Sequence, residues 1–238
     1  MKRRNQIYEG KAKILYQTDN PAQVIQYFKD DATAFDATKR GTIKDKGICN
    51  NKISVTLFRF LEKNGIRTHF IDQLSDREML VKKVSIIPIE VTVRNRVAGG
   101  MAKMLGLEEG MELKQPVVEY HYKDDALHDP LINQDHIITL KFASKEDLER
   151  IRELSLRINE LLKGFFDERG IDLIDFKLEF GRSNDEILLA DELSPDVFRL
   201  WEKGTGRKMD KDRFRRDLGQ VEEAYREVVK RVTGQMKT

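Results

Sequence analysis

The 238-residue chain has a single cysteine, Cys49, so no disulfide can form within it. That suits a reducing compartment, and leaves Cys49 as either a nucleophile or a small residue at a helix start. Only five prolines occur, and there is no Ser/Gly-rich stretch, which argues against a long flexible linker. No apolar run approaches the roughly 20 residues that cross a bilayer. The segment MKRRNQIYEG is charged, but no apolar stretch follows it, so it does not read as a signal peptide; the expected setting is the cytoplasm. Neither charge sign is in excess. Forty-three Lys and Arg stand against 41 Asp and Glu, and a net charge of +2 is too small to argue for nucleic acid. Neither GxGxxG nor GxxxxGK[ST] is present. His69, His121, His128 and His136 lack metal-ligand spacing, which argues against zinc.

What is present supports a folded protein with a densely charged surface: 39% of residues are hydrophobic and 35% charged. KAKILYQT (11–18) reads as a strand. Asn20-Pro21 reads as the start of a short helix with Val24, Ile25 and Phe28 on one face. Residues 31–47 read as a polar loop. A helix follows, with Ile53, Leu57, Phe58 and Leu61 at helical spacing and Gly65 as its stop. HFIDQL (69–74) and EMLVKKV (78–84) read as strands, and IIPIEVTVRN (86–95) as a long one. Ala98-Gly99-Gly100 leads into a short helix ending near Gly106, and 107–143 is mixed. Residues 144–169 form the clearest helix, with a capping box at Ser144 and Asp147 and an apolar stripe from Leu148 to Phe165. Strands at 171–180 and 186–192 form a hairpin. The last helix, about 211–233, is capped by Asp210 and carries Phe214, Leu218, Val221, Tyr225 and Val228 inward. This order is no regular βαβ alternation, so the expected class is α+β with antiparallel sheets. Pro88 marks a plausible boundary at 85–90.

Four segments carry candidate chemistry, each with a plainer alternative. In DFKLEF (175–180), period-two alternation puts Asp175, Lys177 and Glu179 on one face. With Asp191 on the partner strand, Glu179 makes two carboxylates that suit a Mg²⁺–nucleotide site, or else the strand has an ordinary solvated face. In YEGKAK (8–13), Lys11 and Lys13 either hold polyphosphate as point charges or guard an edge strand. In VRNRVAGGMAKML (93–105), Arg94, Arg96 and the helix start either grip an anion or form a tight connection with surface arginines. In SPDVFRLW (194–201), Arg199 sits among large apolar residues and needs either a structural carboxylate or a substrate phosphate.

Taken together, YEGKAK, VKKV…IPIEVTVRNRVAGG, KDDALHDP, DFKLEFG, LADELSPDVFRLW and MDKDRFR follow the order and approximate spacing of the phosphoribosylaminoimidazole-succinocarboxamide synthases. The chain resembles the bacterial short form of that family over nearly its whole length. The resemblance implies an antiparallel N-terminal sheet like a kinase small lobe (1–86) and a larger C-terminal α+β part (87–238), with ATP in the cleft between them. It implies that Lys11, Lys13 and Lys123 contact ATP phosphates, that Lys82 and Val84 lie along the adenine, and that Glu179 and Asp191 hold Mg²⁺. It further implies that Arg94, Gly100 and Arg199 grip the phosphate of carboxyaminoimidazole ribotide, that Lys211 and Arg215 face the substrates, and that Asp129, with Asp45 and Asp36, lies near the ribotide carboxylate and a second metal. Lys13, Asp175 and Lys177 are the implied catalytic groups. L-aspartate is the implied second substrate, and a homodimer the implied assembly, with no nucleic-acid or membrane partner. Two rival readings remain: a small-molecule kinase, which would not need aspartate, and a nucleic-acid module, against which the mixed charge along every helix counts.

Two positions depart from the family pattern. Gly100 stands where a phosphate-binding serine is usual, and Met104 where an arginine is usual. One missing hydroxyl contact costs about 1 kcal/mol. Gly100→Ser should therefore lower the KM for the ribotide in a steady-state assay; an unchanged or higher KM would refute this.

Overall fold

The computed structural model describes residues 2–34 and 38–234. Its elements run β1 (Gln6–Glu9), β2 (Lys13–Gln17), β3 (Gln23–Phe28), β4 (Asp31–Ala34), β5 (Lys39–Thr42), α1 (Lys46–Lys63), β6 (Phe70–Gln73), β7 (Glu78–Lys82), β8 (Ser85–Arg96), α2 (Gly99–Leu105), β9 (Glu112–Tyr122), β10 (Leu131–Ile132), α3 (Gln134–Thr139), α4 (Lys145–Asp167), β11 (Ile171–Ser183), β12 (Glu186–Ala190), β13 (Phe198–Glu202), α5 (Asp212–Arg215) and α6 (Val221–Thr233). One antiparallel sheet has the order β1-β2-β3-β7-β6. A second has the order β10-β9-β8-β11-β12, with β13 also paired to β11, and β4-β5 form a two-stranded ribbon. The expected α+β class with antiparallel sheets is the one observed.

β11 organises the second sheet. It is buried along almost its whole length, because β8 covers one edge while β13 and then β12 share the other. α4 lies across β11 and β8. Its capping box forms as the sequence predicts, with Asp147 N–H donating to Ser144 Oγ at 3.1 Å. Leu148, Ile151, Ile158, Leu162 and Phe165 are buried beneath it, each contributing about 1.5–3 kcal/mol by leaving water. α1 packs its apolar face on the first sheet and meets α6. One apolar cluster runs continuously through α1, both sheets and α4.

The two sheets are joined at Leu189. Its N–H donates to the Arg67 carbonyl at 3.1 Å, and its carbonyl accepts from His69 N–H at 2.8 Å. The polar stripe of α1 secures the chain beyond. Lys46, Asn50 and Ser54, at i, i+4 and i+8, are all fully buried. Ser54 Oγ lies 3.2 Å from Leu193 N and the Lys46 ammonium donates to Asp196 at 2.6 Å.

Three readings of the sequence need correction. Residues 23–28 form a strand rather than a helix: β3 lies between β2 and β7, and both Val24 and Ile25 are buried on its opposite faces. The spacing of Val24, Ile25 and Phe28 satisfies both patterns, and ladder pairing with two neighbours decides for the β-branched residues. Residues 31–47 contain the paired β4 and β5 and the first two residues of α1 rather than a loop alone. The stretch 107–143 is mixed as expected, with β9, an 11-residue strand, followed by β10 and α3. The final helix is two helices. Asp217, Gly219 and Gln220 adopt φ values of 54°, 68° and 50°, and Leu218 is exposed instead of inward. The Arg213 guanidinium holds the break, donating to the carbonyls of Gly219 at 2.7 Å and Leu218 at 3.0 Å.

Asp210 is fully buried and accepts from Asp212 N–H at 2.6 Å and Leu200 N–H at 2.8 Å. Burial, then the charge of Asp212, pushes its carboxyl up from 3.8 to about 7. Between those values the native state keeps a proton that the unfolded chain has lost, so this contribution to stability is lost as pH rises through the window. Asp210→Asn should flatten the decline. Urea unfolding across pH 4–7 should show a slope less steep than that of the unaltered chain by up to about 1.4 kcal/mol per pH unit.

Candidate active site

A cleft of about 770 Å³ lies between the first sheet and the β8–β11 face of the second. Leu15, Val24, Val81, Val84 and Ile86 make one end apolar, and Lys82 lies beside them. Gly181 is required there, since a Cβ would run into Val84. Charged side chains dominate the remainder.

At its centre, lysines and carboxylates alternate. The period-two reading of β11 holds: Asp175, Lys177 and Glu179 all line the cleft. Glu90 on β8 is register-paired with Glu179, and two like charges directly across a ladder repel. Lysines between them compensate. Lys177 donates to Glu90 and, at 2.7 Å, to Glu179. Lys123 lies 3.0 Å from Glu179 and 3.6 Å from Glu90. Lys13, on β2, donates to Asp191 and lies 3.0 Å from Glu192. Lys11 reaches across the mouth to Asp125 at 2.7 Å.

This packing sets the charge states. Burial works against the Glu179 carboxylate, but Lys177, Lys123 and Lys13 outweigh it and hold its pKa well below the usual range. Asp191 goes the other way, raised by burial and by Glu179. Burial works against the Lys13 charge too, and Asp191, Glu192 and Glu179 reverse that effect and raise its pKa.

The other end is built on arginines. Strand register sets Asp175 beside Arg94 on one side and Arg199 on the other. Arg94 Nη1 donates to Asp175 at 2.6 Å and Arg199 Nη1 at 2.9 Å. Arg94 also holds Glu119 at 2.8 Å, while Arg199 and Arg215 share Asp212 at 3.0 and 2.6 Å. Gly99 has φ 54°, and a Cβ there would strike the Arg199 guanidinium; a Cβ at Gly100 meets nothing within 4 Å. Lys211 lines the cleft 4.0 Å from Asp196. Burial lowers its pKa, with Asp196 opposing. Asp196 is already engaged by Lys46 at 2.6 Å and by the Tyr225 hydroxyl at 2.7 Å.

Lys11, Lys13, Lys82, Val84, Arg94, Lys123, Asp129, Asp175, Lys177, Glu179, Asp191, Arg199, Lys211 and Arg215 thus line one cavity. Asp45 does not line it; it precedes α1 at φ 62° and lies 3.3 Å from Arg226. Asp129 lines it, with Oδ1 accepting from Asp124 N–H at 3.0 Å. Asp36 lies outside the described residues. Cys49 is buried at the start of α1, where burial pushes its thiol up to about 11, the opposite of an activated nucleophile. Sequence reasoning missed Glu90, Glu192, Asp196 and Asp212. Glu90 shares the parity of Arg94 on β8, so the alternation used for β11 would have found it.

Among the described residues no three His, Cys, Asp or Glu side chains converge to hold a metal alone. Glu179 and Asp191 provide two carboxylates, and the charge of Glu179 raises the cost of ionising Asp191. Mg²⁺ takes one or two carboxylates and completes its shell with phosphate oxygens and water. The donor set therefore fits a cation that arrives with a polyphosphate.

The whole chain can be placed among known proteins. The SAICAR synthetase family model matches residues 6–232. The phosphoribosylaminoimidazole-succinocarboxamide synthase of Clostridium acetobutylicum is 56% identical over 234 residues, 98% of this chain and 100% of that protein. The crystal structure of the synthase from Ehrlichia chaffeensis superposes with a TM-score of 0.95 at 48% identity, covering 98% of this chain and 100% of that one. A SAICAR synthetase solved in complex with ADP gives 0.93 at 48% identity, covering 97% and 99%. Likeness in sequence and fold over essentially the full length leaves one assignment: the chain belongs to the SAICAR synthetase family, ligases of purine biosynthesis.

Proposed function

We propose that the chain condenses the carboxylate of carboxyaminoimidazole ribotide with the amine of L-aspartate at the expense of ATP, giving SAICAR, ADP and phosphate. The observation that carries this reading is one cleft with lysines and paired carboxylates at its centre, an apolar slot at one end and arginines at the other. The related enzyme solved with ADP supports nucleotide use. On this reading residues 1–86 form the nucleotide-binding lobe and 87–238 the substrate- and metal-binding lobe, and the enzyme is a cytoplasmic homodimer.

A carboxylate does not condense with an amine in water, because its oxygen is a poor leaving group. Transfer of the ATP γ-phosphoryl group to that oxygen gives an acyl phosphate and ADP. The aspartate amine then attacks the carbonyl, phosphate departs, and the amine proton is lost. Lys11, Lys13 and Lys123 hold the polyphosphate, and Lys177 neutralises charge on the transferred group. Arg94, Arg199 and Arg215 orient the ribotide, with Asp175 fixing the first two. Glu179 and Asp191 would hold Mg²⁺, which would supply further charge neutralisation.

In a coupled assay, sustained ADP release should require ATP, Mg²⁺, ribotide and L-aspartate together. Full-rate release without aspartate would mark the chain as a kinase instead. Glu179→Gln should lower kcat by about a hundredfold or more while ADP binding, followed by calorimetry, persists.

A further inference from the structure

β12 ends at Ala190, and in a regular strand the next two side chains would point to opposite faces. They do not. Asp191 takes φ 64°, and this left-handed residue turns both acids toward one lysine: Lys13 donates to Asp191 and lies 3.0 Å from Glu192. A non-glycine residue in this region is strained and persists where its surroundings over-determine it. They do so here. The Asp191 carbonyl accepts from Gln26 Nε2 at 3.1 Å, and Leu193 N is 3.2 Å from Ser54 Oγ.

The two carboxylates differ in freedom. Glu192 is closed in, with 4% of its side chain exposed against 20% for Asp191. One Glu192 oxygen faces Lys13 and the other accepts from Ser194 Oγ, which in turn accepts from Asp196 N–H at 3.2 Å. Both Glu192 oxygens are thus committed; Asp191 lines the same cavity and is the more exposed of the two. Two acids serve one ammonium, so one is in surplus until a cation enters.

We propose that Glu192 is a positioning residue for Lys13: the fixed counter-ion that keeps this lysine aimed into the cleft and frees Asp191 to turn to a divalent cation. This rests on the nucleotide reading above. Without Glu192, Asp191 would be the only acid among the described residues in contact with Lys13, and drawing it to a cation would strand a buried ammonium. Metal and lysine would compete for one carboxylate.

The test is calorimetric titration of ADP into the full chain with and without Mg²⁺, for the unaltered protein, Glu192→Gln and Ser194→Ala, with kcat and KM for ATP alongside. In Glu192→Gln, the Mg²⁺ concentration giving half-maximal ADP binding should rise at least about tenfold. Metal-free ADP affinity should not fall, because a negative charge near the phosphates has gone. The kinetic loss should appear in kcat more than in KM. Ser194→Ala should shift the Mg²⁺ requirement the same way by about fivefold, and carries the test if Glu192→Gln fails to fold. Equal losses of ADP affinity with and without Mg²⁺, or an unchanged Mg²⁺ requirement, would overturn the proposal while leaving the nucleotide reading intact. If the unaltered chain binds no ADP under either condition, the nucleotide reading falls, and this inference with it.

Discussion

Everything in the cleft depends on the pair of backbone hydrogen bonds that fix Leu189 between Arg67 and His69. They tie the end of β12 to the connection leading into β6, and so bring the acids that follow β12 against Lys13 of the other sheet. Buried backbone groups must find partners, and these two find them across the join between the sheets. The polar stripe of α1 reinforces the join through Ser54 and Lys46. This polar face specifies where Leu193 and Asp196 lie.

The charged interior follows from that join. Burying a lone ammonium or carboxylate is costly, and nearly every charged group in the cleft has a partner of opposite sign. The pairing of Glu90 with Glu179 across a ladder would be unfavourable by itself, and Lys177 and Lys123 turn it into a compensated cluster. Arg94 and Arg199 converge on Asp175 for the same reason. The same pairs stabilise the cleft from within and hold its charged side chains in place.

Strongly periodic segments were legible in the sequence. α4 carries an uninterrupted stripe with a capping box, β8 and β11 alternate clearly, and most side chains expected at the site do line one cavity. β3 was not legible, because Val24, Ile25 and Phe28 fit a helix as well as a strand and only pairing with β2 and β7 decides. The break before α6 was hidden because it depends on the Arg213 side chain folding forward onto the carbonyls of Leu218 and Gly219, which residue spacing does not reveal. Glu192 was missed because a rule of alternation assigns it the wrong face. The left-handed turn at Asp191 that overrides the rule is held by contacts remote in sequence, from Gln26, 165 residues away, and from Ser54.

β11 also acts as a ruler. Asp175, which anchors the arginines, and Glu179, which anchors the lysines, are four residues apart on one strand covered on both edges. At about 3.3 Å per residue, the two anchors stand about 13 Å apart, and a strand held by three neighbours has no means of changing that interval. On the proposed reading, the interval selects the acceptor by length: a molecule must span from its phosphate to its reacting carboxylate over a distance that the backbone, rather than any single side chain, dictates.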